Sequence, residues 1–242
     1  MNNALQYTLP YSRQQHGLTL VEILVALVLS LFLTAGIIQL FIGTKQSYRF
    51  HEALSRIQEN GRFAIDRMNA DIRMAGFGDP LAPINGTDAT NAGNETDSIS
   101  LAWVDGGGQT RNYAITPSTT TPACTSASTS LSLNSNGGGL QELIEGVQAM
   151  QILYGICADA NNDNVPDGPP TNYVNATAAS ANWALVCSAR IHLLLVSVED
   201  NVVTQSQAYA FPIDTGGSLT TPTDRCLRQA FSTTVAIRNR LP

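Results

Sequence analysis

One segment limits the possible folds of this chain more than any other. Leu18 to Gly43 (LTLVEILVALVLSLFLTAGIIQLFIG) is a run of 26 residues that contains a single charged side chain, Glu22. A bilayer core of about 30 Å is crossed by about 20 residues of helix, so the run can span. A secretory signal has a shorter apolar core and a small-residue cleavage site after it; here the chain continues directly into Thr44, Lys45 and Gln46. The apolar helix is therefore expected to be retained. Arg13 and His16 precede it, while Asp and Glu are absent before Glu22, a bias that leaves the first residues on the cytoplasmic side.

Glu22 is the costly residue of the run. A carboxylate within an apolar helix costs a few kcal/mol on insertion and usually has a partner. No Lys or Arg lies within one helical turn of it, which puts the partner on another chain or at a newly made terminus. Standing alone, Glu22 would also fit an interfacial position on an ordinary single-pass anchor. The seven residues His16-Gly17-Leu18-Thr19-Leu20-Val21-Glu22 change that balance. They resemble the prepilin processing signal, in which glycine precedes the cut and glutamate is the fifth residue after it. The resemblance implies that prepilin peptidase cuts between Gly17 and Leu18, that the new amine of Leu18 is methylated, and that Glu22 pairs with the terminal amine of a neighbouring subunit. Leu18 stands where these proteins usually have Phe, and the leader, residues 1–17, carries one formal positive charge.

Beyond residues 18–43, Phe50, Leu54, Ile57, Gly61, Ala64, Met68, Ile72 and Ala75 recur at intervals of three and four, which marks one face of a helix. Glu52 with Arg56 and Arg67 with Asp71 have i,i+4 spacing, each contributing about 0.2–0.5 kcal/mol. Gly76, Gly78 and Pro80 are a stop signal. Residues 44–76 thus read as an amphipathic stalk, and a continuous helix from Thr19 to Ala75 would be about 85 Å long. Residues 77–242 then change to short alternating runs. Ser98–Val104, Gln109–Thr116, Val147–Ile156, Leu185–Val198, Val202–Phe211 and Cys226–Ile237 are expected strands, separated by turn-rich stretches that include Gly106–Gly108, Pro117–Ser130 and Pro166–Asn182. The predicted fold class is α+β, a long N-terminal helix packed on an antiparallel sheet head.

Three further segments carry a second resemblance. Ile57-Gln58-Glu59-Asn60-Gly61-Arg62-Phe63-Ala64, Asp71-Ile72-Arg73-Met74-Ala75-Gly76-Phe77 and Arg228-Gln229-Ala230-Phe231-Ser232-Thr233-Thr234-Val235-Ala236-Ile237-Arg238-Asn239, with Glu145-Gly146-Val147-Gln148 more weakly, look like the minor pilins of the PilW family. That resemblance implies a minor pilin that enters a type IV pilus and helps to initiate its assembly, with twitching motility, adhesion or DNA uptake downstream. The implied partners are other major and minor pilins, prepilin peptidase, an inner-membrane assembly platform and membrane lipid. The implied location is the bacterial inner membrane with a periplasmic head, then the pilus at the cell surface. A minor pseudopilin of type II secretion shares the signal and fold and is the alternative; a membrane-tethered binding module or enzyme is the distant one.

Composition separates these classes further. Residues 44–76 hold six basic and four acidic side chains, whereas residues 77–242 hold six basic and fourteen acidic. Phosphate backbones are bound by Lys and Arg, so no nucleic acid is expected on the head. The histidines, His16, His51 and His192, are scattered through leader, stalk and an expected strand, with no visible triad, and no enzyme activity is expected. Gly137-Gly138-Gly139 lacks the lysine of a phosphate loop.

Cys124, Cys157, Cys187 and Cys226 contain no C-x-x-C pair and read as disulfides of an exported head. Cys157 ends one expected strand and Cys187 begins another, which favours Cys157 with Cys187 and Cys124 with Cys226; the other two connectivities stay open. Finally, Asp159, Asn161, Asp163, Val165 and Asp167 alternate along one loop and could direct oxygens, the Val165 carbonyl among them, to a calcium ion. Asn164 stands where an EF-hand loop has Gly, and Pro170 where it has Glu. An Asx-rich turn accounts for the same pattern.

Overall fold

The computed structural model describes residues 17–78, 83–91, 94–212 and 219–240. A single helix, α1 (Leu20–Met74), begins the described fold, and the chain divides into two units between Ser47 and Tyr48. The first unit is the apolar run and the short polar stretch after it. Three hydroxyls bond back to the helix: Ser30 Oγ donates to Leu27 O, Thr34 Oγ1 to Ser30 O and Thr44 Oγ1 to Leu40 O, each at 2.8 Å. This bonding removes the penalty of a hydroxyl facing hydrocarbon.

The second unit holds the rest of α1 and every strand. A five-stranded antiparallel sheet is built from β1 (Ile84–Thr87), β2 (Ser98–Val104), β3 (Gly108–Pro117), β4 (Thr129–Ser135) and β5 (Leu140–Glu145), neighbours in chain order. A four-stranded antiparallel sheet is built from β6 (Val147–Cys157), β7 (Pro170–Val174), β8 (Val186–Val196) and β9 (Arg228–Ala236), in the order β9-β8-β6-β7. A short helix, α2 (Ala176–Ala179), follows β7, capped by Asn175 Oδ1, which accepts the Ala178 N–H at 2.9 Å.

One apolar cluster joins the three layers. It contains Ile57, Met68 and Ile72 of α1, Ile99 and Tyr113 of the first sheet, and Ile152, Ile191 and Leu193 of the second. The stripe expected on the stalk is the buried one: Ile57, Gly61, Ala64, Met68, Ile72 and Ala75 are buried, and Phe50 and Leu54 pack at its edge. Each large side chain so buried contributes about 1.5–3 kcal/mol. Gly61 is set by close approach, since a Cβ there would stand 2.4 Å from the ring of Phe231 on β9.

Gly146 makes the passage between the sheets. It alone separates β5 from β6, and its N–H donates to Thr129 O of β4 while its carbonyl accepts the Val196 N–H of β8. Its φ is +71°, and a Cβ would lie 2.6 Å from Val196 O, so the corner fits glycine alone.

Two expectations are corrected. The run Val202–Phe211 is a strand only at Tyr209–Ala210, paired with Leu219–Thr220. Val202 and Val203 direct their N–H groups to Arg225 O and bury their side chains from an irregular loop, so their apolarity reflects burial and not pairing. Arg56 does not close on Glu52; it reaches Glu145 of β5 and Glu199, partners close in space but far in sequence. Arg67 pairs with Asp71 at 3.5 Å, at the expected spacing.

Candidate processing and assembly site

At the start of α1, Gly17 and Leu18 precede the helix and are exposed. Thr19 closes the first turn: its Oγ1 accepts the Glu22 N–H at 3.3 Å and its carbonyl accepts the Ile23 N–H at 3.2 Å. Thr19 and Glu22 therefore stand at N-cap and third-residue spacing, with the carboxylate in the first turn, where the helix dipole favours a negative charge. The peptide bond between Gly17 and Leu18 lies in non-helical chain beside this cap. Arg13, His16 and the other leader residues before Gly17 lie outside the described residues.

From Leu20 on, the large apolar side chains of the first unit are exposed, Leu20 at 81% and Phe32 at 73%. The helix is long and apolar enough to cross a membrane. A contiguous apolar surface of this extent has to be covered by lipid or by other helices.

In the second unit the structure brings the cysteines together as Cys124–Cys226 and Cys157–Cys187, with Cα atoms 6.2 and 5.9 Å apart. The first bond ties the β3–β4 connection to the residues before β9. Beside it, Asp224 accepts two bonds from the Arg228 guanidinium at 2.7 Å each, one from Ser126 Oγ at 2.6 Å and one from the Cys226 N–H at 3.2 Å. Arg228 first, then these other donors, hold the Asp224 carboxyl down at about 2.

The acidic loop after β6 is folded on itself. Asp159 accepts the N–H groups of Asp163 and Asn164 at 3.2 and 3.1 Å, Asn161 Oδ1 accepts that of Asp163 at 3.1 Å, Asp163 accepts that of Val165 at 2.8 Å, and Asp167 accepts that of Ala160 at 2.9 Å. The Asp167 N–H closes the loop on Ala158 O at 2.8 Å. These are nested Asx turns, with the side chain of Val165 exposed.

Two buried carboxylates join elements that the sequence does not link. Asp71 accepts the Tyr113 hydroxyl at 2.5 Å, tying α1 to β3; burial, then this bond, raises the Tyr113 phenol above its ordinary value. Asp97, fully buried before β2, accepts from Gln151 Nε2 at 2.9 Å, from the Ile152 N–H at 2.8 Å and from the Ala89 N–H at 3.1 Å, joining the two sheets. Arg67, four residues earlier, signals Asp71 as a helix ion pair but not as the tie to β3, and nothing near Asp97 in sequence announces its role.

An apolar helix with a processing signal at its head and an amphipathic continuation packed on antiparallel sheets defines a subunit of the type IV pilin class. The profile of type IV pilus-assembly protein W matches residues 112–239, and the prokaryotic N-terminal methylation motif matches residues 12–38. The chain belongs to the PilW family, whose members are structural rather than enzymatic proteins. The pilin-like protein PilA3 of Thermus thermophilus is 28% identical over 178 residues, covering 63% of this chain and 72% of that one. A solved type IV-like pilin from Thermus thermophilus aligns at a TM-score of 0.44 and 11% identity, over 77% of this chain and 98% of that one.

Proposed function

We propose that this chain is a minor pilin, cleaved after Gly17, methylated on Leu18, and incorporated into a type IV pilus whose assembly it helps to initiate. The observation that carries the reading is the start of α1: an exposed Gly17–Leu18 bond, a helix capped at Thr19 and Glu22 in its first turn. Cleavage there creates an ammonium group, the cation that Glu22 lacks within its own apolar segment. Paired with the amine of a neighbouring subunit, the carboxylate would no longer be an isolated charge in hydrocarbon. Before assembly the helix sits in the bacterial inner membrane with the head in the periplasm; afterwards it lies among other major and minor pilins. Prepilin peptidase and the inner-membrane assembly platform are its working partners.

The test is genetic and chemical together. Deleting the gene should reduce surface pili and twitching motility, the full chain should restore both, and residues 77–242 alone should not. Mass spectrometry of protein from the native membrane should find Leu18 at the N-terminus, with a methyl group. Normal piliation with loss of export of a folded enzyme would replace this reading by a type II secretion pseudopilin. Full rescue by residues 77–242 would replace it by a tethered binding module or enzyme.

A further inference from the structure

The five-stranded sheet is apolar on one face and amide- and hydroxyl-rich on the other. Ile99, Leu101 and Trp103 of β2 and Tyr113 of β3 are buried, so the alternation of strand side chains turns Ser100, Ala102 and Asn112 to the outer face. Register then lines up one rung across all five strands: Asn85 opposite Ser100, Ser100 opposite Asn112, Asn112 opposite Asn134, and Asn134 opposite Leu140. At about 4.8 Å between strands, the rung is about 19 Å long. A cleft of about 280 Å³ opens along it, lined by Asn85, Ser100, Ala102, Thr110, Asn112 and Asn134, with Gly137 at its rim.

The lining is held in place. Asn112 Nδ2 donates to Ser100 Oγ at 2.6 Å. The β4–β5 turn is pinned beside the cleft by Asn136, whose Oδ1 accepts the Thr110 N–H at 2.8 Å and whose Nδ2 donates to Gln109 Oε1 at 2.8 Å. Asn134 Oδ1 is shielded from solvent and accepts no hydrogen bond. An acceptor left so is costly, and in a folded protein it calls for a further partner such as a water, an ion or a ligand.

Charge narrows the partner. Of the lining residues only Arg111 is charged; its guanidinium lies 5.3 Å from the Trp103 ring, its Nη1 donates to Thr110 O at 3.0 Å and to Asn136 Oδ1 at 3.3 Å, and its Nε stands 4.0 Å from the Asp71 carboxylate, which balances the charge. The cleft therefore lacks the free Lys or Arg that an anionic ligand would use, and the carboxylates that a cation would use. It offers neutral donors and acceptors, with the apolar surfaces of Ala102 and Leu140 alongside. A peptide strand would be recognised at an open sheet edge, whereas this rung lies on a face whose backbone is paired on both sides through β2, β3 and β4.

We propose that this cleft binds a neutral carbohydrate, a sugar ring of a surface polysaccharide whose hydroxyls accept from the Asn85 and Ser100 side chains and donate to Asn134 Oδ1 once that amide turns to face the cleft. The volume lies just below the range for drug-sized pockets, about 300–1,000 Å³, which suits a single ring with the chain running out along the rung. The proposal goes beyond the assembly role and does not depend on it.

The experiment uses the full chain in micelles of a detergent without a sugar headgroup, applied to an array of neutral and anionic glycans and to immobilised peptides. Wild type should be retained by neutral glycans. Asn112→Ala and Asn134→Leu should each weaken retention about tenfold, the loss of a hydrogen bond or two, with near-UV circular dichroism unchanged. Ser100→Ala, which removes only a hydroxyl, serves as the third variant should either of these disturb the fold, and Thr223→Ala, outside the sheet, should bind as wild type does. Retention by no neutral glycan, preference for anionic glycans or for peptides, or binding kept by all the cleft variants would overturn the proposal.

Discussion

At position 146 the chain passes from one sheet to the other within a single residue, with φ at +71° and the Val196 carbonyl where a Cβ would go. Gly146→Ala should therefore destabilise the fold by at least about 1–3 kcal/mol from backbone strain alone, read as a fall in denaturant midpoint, and a variant as stable as wild type would show that the corner relaxes. Nothing in the local sequence reveals this role, because the constraint comes from a carbonyl fifty residues away. Asp224 is a second case in which tertiary partners set the chemistry. Its folded value, about 2, lies below the ordinary carboxylate range, so the unfolded chain takes up the proton first. The stabilisation is complete above that ordinary range and is lost as pH falls through about 2. Thermal melting should show this acid slope, and Asp224→Asn should remove part of it while lowering the melting temperature at neutral pH. An unchanged slope in the variant would assign the acid sensitivity to other groups.

Elements with strong periodicity are legible in the sequence. The stalk face from Ile57 to Ala75 is the face that is buried, since a repeat of three and four has one geometric meaning. The runs from Ser98, Gln109, Val147, Leu185 and Cys226 contain β2, β3, β6, β8 and β9, trimmed or extended by a few residues. The β4–β5 hairpin carries a weak sequence signal, because Ser, Asn and Gly dominate it and its alternation of Leu131 and Leu133 is short. Val202–Phe211 erred in the other direction, because burial inside a loop and burial inside a sheet select the same residues. The acidic loop Asp159–Asp167 poses a different question, since nested Asx turns and a cation site use the same oxygens. A calcium ion held there should raise the melting temperature of the full chain at millimolar concentration, and Asp163→Ala should abolish the increment. A melting temperature indifferent to calcium would leave the loop as a turn that satisfies itself.

For the whole molecule, the readings of the two ends converge: a helix that must be covered and a head tied to its continuation through Asp71, Arg56 and the Gly61–Phe231 contact. Glu22→Ala should insert into the membrane as well as wild type or better, because a charge is removed from the apolar run, yet it should be recovered from sheared filaments in smaller amounts. Equal recovery would separate Glu22 from assembly. Load is the remaining consideration, because a fibre anchored at one end and pulled at the other strains every subunit in it. The Cys124–Cys226 bond closes residues 102 positions apart in sequence into a covalent ring, and tension entering through α1 and leaving near residue 240 passes across the ring instead of around it. At about 3.5 Å per extended residue, oxidised protein should release about 350 Å less contour length than reduced protein when stretched in an optical trap. Strands β4 to β8 lie inside the ring and cannot be drawn out by the pull, whereas β1, β2, β3 and β9 lie outside it.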